Sequence, residues 1–325
     1  MNSLISNLTK EFLKTKKNKD NTYAKNFAFS TYNKTLKIIF ESKDDKLFEK
    51  IILANNEKIK EYIGKYKKYL EKNNLSLTDS IKKLLEENKE DEVLKDLWKL
   101  HNVYDSFSSS WNYKIVQKLN IQTCLYCNRE NILTFKNIDN SIQTTAEIDH
   151  FYPRSLYPFL SISFFNLIPS CKTCNSKCKG DLDTFNEEIL YPYEDDFNKK
   201  AKFTHFFETK TNKNQNYALY SKERISLKIK RENENDIKTK NTITTFKLQE
   251  LYNEHKDIVL ELIQKAEIYN ESYIDELLTQ YEGTLFKNKE DLLRLVTCGY
   301  VSDEDINKRP LSKLIKDIST ELDLI

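Results

Sequence analysis

Residues 124–127 read C-L-Y-C, residues 146–153 read A-E-I-D-H-F-Y-P, and residues 166–181 read N-L-I-P-S-C-K-T-C-N-S-K-C-K-G-D. Two C-x2-C pairs therefore frame an Asp-His dipeptide and an isolated Asn. Four thiolates in such pairs, Cys124, Cys127, Cys171 and Cys174, suit one tetrahedral structural zinc. Forty-three residues separate Cys127 from Cys171. That is longer than the loop of a small ribbon or finger, so the insert must carry structure of its own. A metal closing it contributes folding free energy directly, because its ligands gather only in the folded state. Cys178, one helical turn beyond Cys174, is read as a packing residue. Cys298, beside the apolar run 292–296, is read as a buried helical thiol.

Between the cysteine pairs, Thr144 to His150 reads as a strand and Phe164 to Ile168 as its return. Pro153, Pro158 and Pro169 break the backbone around them. A short helix is expected from about Cys174-Asn175 to Gly180, with Asn175 serving as a metal ligand, as the N-cap, or as both. Neighbours on a strand face opposite sides, so a twist or bulge is needed to turn Asp149 and His150 toward one phosphate. Histidine suits proton transfer near neutral pH. Arg154, Lys172, Lys177 and Lys179 supply a positive rim for a nucleic-acid backbone. Tyr126, Phe151, Tyr152 and Tyr157 are read mainly as core residues, with base stacking as the other use of such rings.

The order Cys124/Cys127, Asp149-His150, Asn166, Cys171/Cys174, Asn175 resembles the HNH endonuclease family in its zinc-bracketed ββα-metal version. The resemblance covers roughly residues 120–185, under a quarter of the chain. It implies that Asp149 and Asn175 hold a catalytic Mg²⁺ or Mn²⁺, that His150 is the general base, and that Asn166 ties down the loop orienting it. An amide and one carboxylate leave most coordination positions to water and phosphate, which suits Mg²⁺ or Mn²⁺ better than a second zinc. The family implies cleavage to 5′-phosphate and 3′-hydroxyl ends, with DNA the preferred substrate and RNA left open. One departure is Cys178, which stands before Lys179-Gly180 where the family more often has Lys-Gly one residue earlier.

The 325 residues divide into a helical region 1–118, the zinc-bracketed module 119–192, and a region 193–325 of a small sheet or hairpin followed by helices. The expected fold is mainly α with a small α+β insert. Net charge is +2, from 52 basic and 50 acidic residues, so nucleic-acid contact must come from local patches. Mean hydropathy is −0.68 and no apolar run approaches a membrane span. Without an export signal, unpaired cysteines point to a reducing cytoplasm. Four glycines and five prolines favour long helices and exclude a P-loop or Rossmann fingerprint.

Helical periodicity runs through residues 48–70 and 81–98, the second opening at Thr78 or Asp79. Lys10, Lys14, Lys16, Lys17, Lys19 and Lys25 form a basic arm or a frayed helix. Phe203–Phe207, Tyr217–Tyr220 and the alternating Ile225, Leu227 and Ile229 suggest a hairpin. Residues 248–266 read as one long helix with His255 in its core face, and shorter helices are expected at 271–282, 288–297 and 311–321. His101 and His205 have no Cys or carboxylate context. The whole is also similar to the HNH subunits of bacterial antiphage systems of the Septu type and its retron-linked relatives. That similarity implies a co-encoded ATPase as partner. The alternative is a non-catalytic zinc-bound module that docks on nucleic acid or protein. Such a module would not need Asp149, His150 and Asn175 together.

Overall fold

The computed structural model describes residues 2–15, 29–208 and 221–325. Lys16, Lys17, Lys19, Lys25 and the segment 217–220 lie outside the described residues.

Side-chain caps mark where several of the N-terminal helices begin. The helices of this region are α1 (Asn2–Thr15), α2 (Phe29–Ile39), α3 (Leu47–Leu53), α4 (Asn56–Lys72), α5 (Ile81–Glu87) and α6 (Glu92–Leu119). The continuous periodicity over 48–70 is split by Asn55, whose Oδ1 accepts from Lys58 N at 3.1 Å. The second run is split by Asp91, which accepts from Val93 N and Leu94 N at 2.8 and 3.1 Å. Such caps satisfy orphan donors of the first turn. Ser80, rather than Thr78 or Asp79, opens α5 through its bond from Lys83 N; Asp79 pairs instead with the Lys83 ammonium.

α6 is the spine of this region. Its 28 residues extend about 42 Å. Leu94, Leu97, Leu100, Phe107 and Trp111 are buried along it. Phe12 of α1 meets Phe107 and Trp111 edge-on and also touches Phe164 of the central module. The helical region and the module thus share one apolar core.

The module opens with a hairpin absent from the expectation, β1 (Thr134–Lys136) against β2 (Ile142–Thr144). The anticipated strand 144–150 is therefore divided. Thr144 ends β2, Thr145 N bonds back to Leu133 O at 2.8 Å, and β3 (Glu147–His150) starts afresh. Its partner β4 (Leu167–Ser170) begins later than expected, because Phe164–Asn166 forms a 3₁₀ turn. The ladder runs without interruption from Glu147↔Ser170 to His150↔Leu167, so the anticipated bulge is absent from the paired residues. The expected short helix is a π-helix, Thr173–Lys179, ended by Gly180 at φ +52° and ψ −132°. Few residues other than glycine adopt that conformation.

Downstream lie α7 (Phe197–Lys200), β5 (Ala201–Phe207), β6 (Ile225–Arg231), α8 (Ile237–Thr245), α9 (Leu248–Asn253), α10 (Lys256–Ile268), α11 (Glu271–Tyr281), α12 (Lys289–Thr297) and α13 (Ser312–Glu321). β5 and β6 pair antiparallel from Ala201↔Arg231 to Phe207↔Ile225. The long helix expected at 248–266 is broken at Glu254-His255. His255 stands at the start of α10, half-buried, with its Nε2 sealed from solvent and unpartnered among the described residues. Cys298 is exposed, not buried, because it ends α12 in the left-handed conformation (φ 59°), and Lys265 Nζ lies 3.3 Å from its sulfur. His205 does have a carboxylate partner: its Nδ1 lies 2.9 Å from Glu321 Oε2 of α13. Among the described residues, no helix is long and apolar enough to cross a membrane.

Candidate metal centre and active site

Cys124, Cys127, Cys171 and Cys174 are all buried, and their sulfurs lie within 4.8 Å of one another. Zn–S bonds of about 2.3 Å in a tetrahedron put sulfurs roughly 3.8 Å apart, so the cluster fits one zinc. Arg129 N donates to Cys127 Sγ and Cys174 N to Cys171 Sγ, each at 3.4 Å. Such bonds favour thiolate over thiol. Burial pushes the Cys124 thiol up, while hydrogen bonds from Cys124 and the other two thiols pull Cys171 down. Four thiolates together in this enclosure need a cation to balance them. Cys178 packs partly buried against the core and lies outside the cluster.

The knuckle is locked from the far end of the chain. Asn128, in the left-handed conformation (φ 51°), donates from Nδ2 to Ile306 O at 2.8 Å and accepts Lys313 N at Oδ1 at 3.0 Å. Its carbonyl accepts Leu311 N at 2.7 Å. Tyr252 of α9 donates to Cys127 O at 2.5 Å.

β3 presents two different environments. Glu147 and Asp149, two residues apart, share one side of the strand. Asp149 is buried. Its Oδ2 accepts from Tyr126 at 2.5 Å and its Oδ1 from Lys179 Nζ at 3.0 Å. Burial raises its pKa, opposed by Lys179 and by the Tyr126 bond. Lys179 Nζ also donates to His150 O at 2.8 Å. Lys179, expected on the phosphate-facing rim, is therefore an interior cation with its side chain fully enclosed. The π-helix turns it inward, where the buried carboxylate compensates its charge.

His150 engages a separate set of partners. Its Nε2 lies 2.8 Å from Ser161 O, and its ring meets Tyr104 of α6 edge-on at 4.5 Å. A carbonyl only accepts, so Nε2 carries the proton and Nδ1 keeps the lone pair. Burial, reinforced by Arg154 and Lys179, pushes its pKa down to about 3, so the ring is neutral. Nδ1 makes no hydrogen bond among the described residues. Ser161 is in turn anchored to α6 through Oγ–H to Leu100 O at 2.7 Å.

Asn166 is fully buried. Its Oδ1 accepts Tyr152 N at 2.8 Å, and its Nδ2 donates to Tyr152 O and Leu160 O at 3.0 and 3.3 Å. It thereby spans both ends of the loop that carries Ser161 toward His150. Asn175 lies inside the π-helix and does not cap it. Its Nδ2 donates to Glu147 Oε2 at 2.9 Å, an oxygen that also accepts from Ser176 Oγ at 2.8 Å. Asn175 Oδ1 has no partner among the described residues. Asp149, with one bond at each oxygen, retains accepting capacity there. Asp149 and Asn175 each carry oxygens of the kind a hard divalent cation takes, and no hydrogen bond joins the two among the described residues.

Of the expected rim, Lys172 and Lys177 are exposed. Arg154 is turned onto α6, bonding His101 O and Asp105 Oδ1 at 3.0 Å each and lying over the Tyr104 ring. The rim is correspondingly smaller than the four residues expected. Tyr126, Phe151, Tyr152 and Tyr157 are all buried. Sequence reasoning missed Glu147, Tyr104 and Ser161, and also the bond that the core residue Tyr126 makes to Asp149. Glu147 had a signal, since it lies two residues before Asp149 and so on its face. Ser161 had none, because it acts through a backbone carbonyl.

The chain is 47% identical over 49 residues to the Septu protein PtuB of Bacillus thuringiensis, covering 15% of this chain and 19% of that protein. It is 41% identical over 56 residues to protein ea31 of Escherichia phage lambda, covering 17% of this chain and 19% of ea31. The match spans under a fifth of either relative's length. No protein-family profile and no solved structure matches the chain.

Proposed function

We propose that this chain is a divalent-metal-dependent phosphodiesterase of the HNH type. It would cleave nucleic acid, DNA by preference, as the effector of an antiphage defence system, beside a co-encoded ATPase. The observation that carries the hydrolytic reading is the His150 tautomer. Ser161 O holds the proton on Nε2, so Nδ1 is the acceptor that takes a proton from the attacking water. Asn166 keeps the Ser161 loop in register with the strand. A phosphodiester against the ring brings negative charge that raises imidazole's proton affinity from its depressed value. Asp149 and Asn175 would hold the cation, whose chemistry here is to stabilise charge on the departing 3′ oxygen. Lys172 and Lys177 attract the backbone. The partial similarity to a Septu protein supports the defence role and the need for a partner.

One observation favours the rival, non-catalytic reading. Lys179 already neutralises Asp149, which a binding module needs no metal to explain. The deciding experiment incubates the protein with plasmid and with RNA under Mg²⁺, Mn²⁺ or chelator, alone and with the co-encoded protein. Cleavage that His150→Ala abolishes while the protein stays folded and zinc-loaded is the expected result, with a melting temperature lowered by the lost contacts to Ser161 and Tyr104. Cleavage by His150→Ala at the parental rate overturns the mechanism.

A further inference from the structure

Glu147 lies on the Asp149 side of β3, and its Oε2 receives two donors from the π-helix, Asn175 Nδ2 and Ser176 Oγ. We infer that Glu147 is a positioning residue that fixes the orientation of the Asn175 amide and thereby commits its oxygen to a divalent cation. The inference rests on the proposed cation at Asp149 and Asn175.

A carboxamide has two chemically opposite ends of almost the same shape. Only the oxygen end ligates a hard cation; the amino end repels one. An asparagine on a short π-helix has no intrinsic reason to choose, and a wrong choice would cost the site one of its two protein ligands. A carboxylate only accepts hydrogen bonds, so the group pointing at Glu147 must be the NH2. The oxygen is then left on the other side without a partner. The second donor, Ser176 Oγ, converges on the same carboxylate oxygen and holds Glu147 in place. The backbone at Glu147 is also braced, since Ser170 Oγ donates to Glu147 O at 3.1 Å across the hairpin. Groups that orient ligands from behind in this way typically change metal affinity 10- to 100-fold when removed.

The test uses the full-length protein and Mn²⁺ alone as probe, with free Mn²⁺ read by electron paramagnetic resonance. Parent, Glu147→Ala, Glu147→Gln, Asn175→Ala and the Glu147→Ala/Asn175→Ala double variant are compared, with zinc content and melting temperature confirming the fold of each. The expected results are Mn²⁺ binding weakened at least about tenfold by Glu147→Ala, and no further weakening when Asn175→Ala is added. Non-additivity is the signature of one residue acting through another. Glu147→Gln, which can meet Asn175 with either end, should fall between parent and Glu147→Ala, and it serves in its place should the alanine variant fail to fold. Unchanged affinity in Glu147→Ala, or losses that simply add, overturns the positioning role and leaves the cation reading intact. A parent protein that binds no Mn²⁺ removes both.

Discussion

Asn128 gives the most quantitative test of how the module is held. Asn128→Ala removes two well-formed hydrogen bonds, to Ile306 O at 2.8 Å and from Lys313 N at 3.0 Å. At about 1 kcal/mol each they account for about 2 kcal/mol. The longer Nδ2 contacts to Thr123 Oγ1 and Asn307 Oδ1, at 3.2 and 3.3 Å, are counted as nothing. The residue also sits at φ 51°, where alanine costs about 1 kcal/mol that asparagine largely avoids. The total is about 3 kcal/mol, which for a chain of 325 residues lowers the melting temperature by about 4–5 °C. Asn128→Gly loses the same bonds without the conformational cost, so it should be destabilised by only about 2 kcal/mol. Thermal unfolding of zinc-loaded protein measures both variants, and release of zinc to a colorimetric chelator reports whether the knuckle itself loosens. An alanine variant melting within about 1 °C of the parent refutes the clamp. A glycine variant no more stable than the alanine one refutes the conformational part.

Lys179→Met should lose about 3–5 kcal/mol in urea unfolding, because it leaves the Asp149 carboxylate buried without its ion partner. A loss under about 0.5 kcal/mol, ordinary for a surface lysine, would return Lys179 to the phosphate-facing rim. Purified protein should carry about one zinc by elemental analysis, and Cys124→Ser should lose it along with stability; zinc-free protein with an unchanged melting curve contradicts the assignment.

The cysteine spacing made the four-sulfur cluster legible, since two C-x2-C pairs admit few other uses, and the sulfurs do converge. The predominance of helix was legible too, from apolar spacing and the scarcity of glycine and proline. Helix boundaries were less so. Asn55 and Asp91 interrupt runs whose apolar period continues across them, and a cap is decided by one side chain against the sum of many. The environment of the candidate site was the hardest to foresee. Whether a lysine faces solvent or a buried carboxylate depends on the turn of the helix beneath it. The π-helix adds a residue per turn that α-helical spacing does not anticipate, and with it Lys179 points inward. Cys298 was misjudged for a similar reason: the apolar run beside it ends two residues before a left-handed cap turns it outward.

The clamp on Asn128 has a consequence for how the chain comes into being. Cys174 leaves the ribosome about 140 residues ahead of Lys313, an interval of roughly 7–28 s at ordinary rates of synthesis. During that time all four cysteines are available to zinc, while the segment that locks the knuckle does not yet exist. A zinc ion on the four sulfurs, rather than the clamp, would therefore hold the nascent knuckle closed. A zinc-starved cell would present this intermediate open, with its thiols unbound, and would lose the protein to aggregation or proteolysis before it was ever complete.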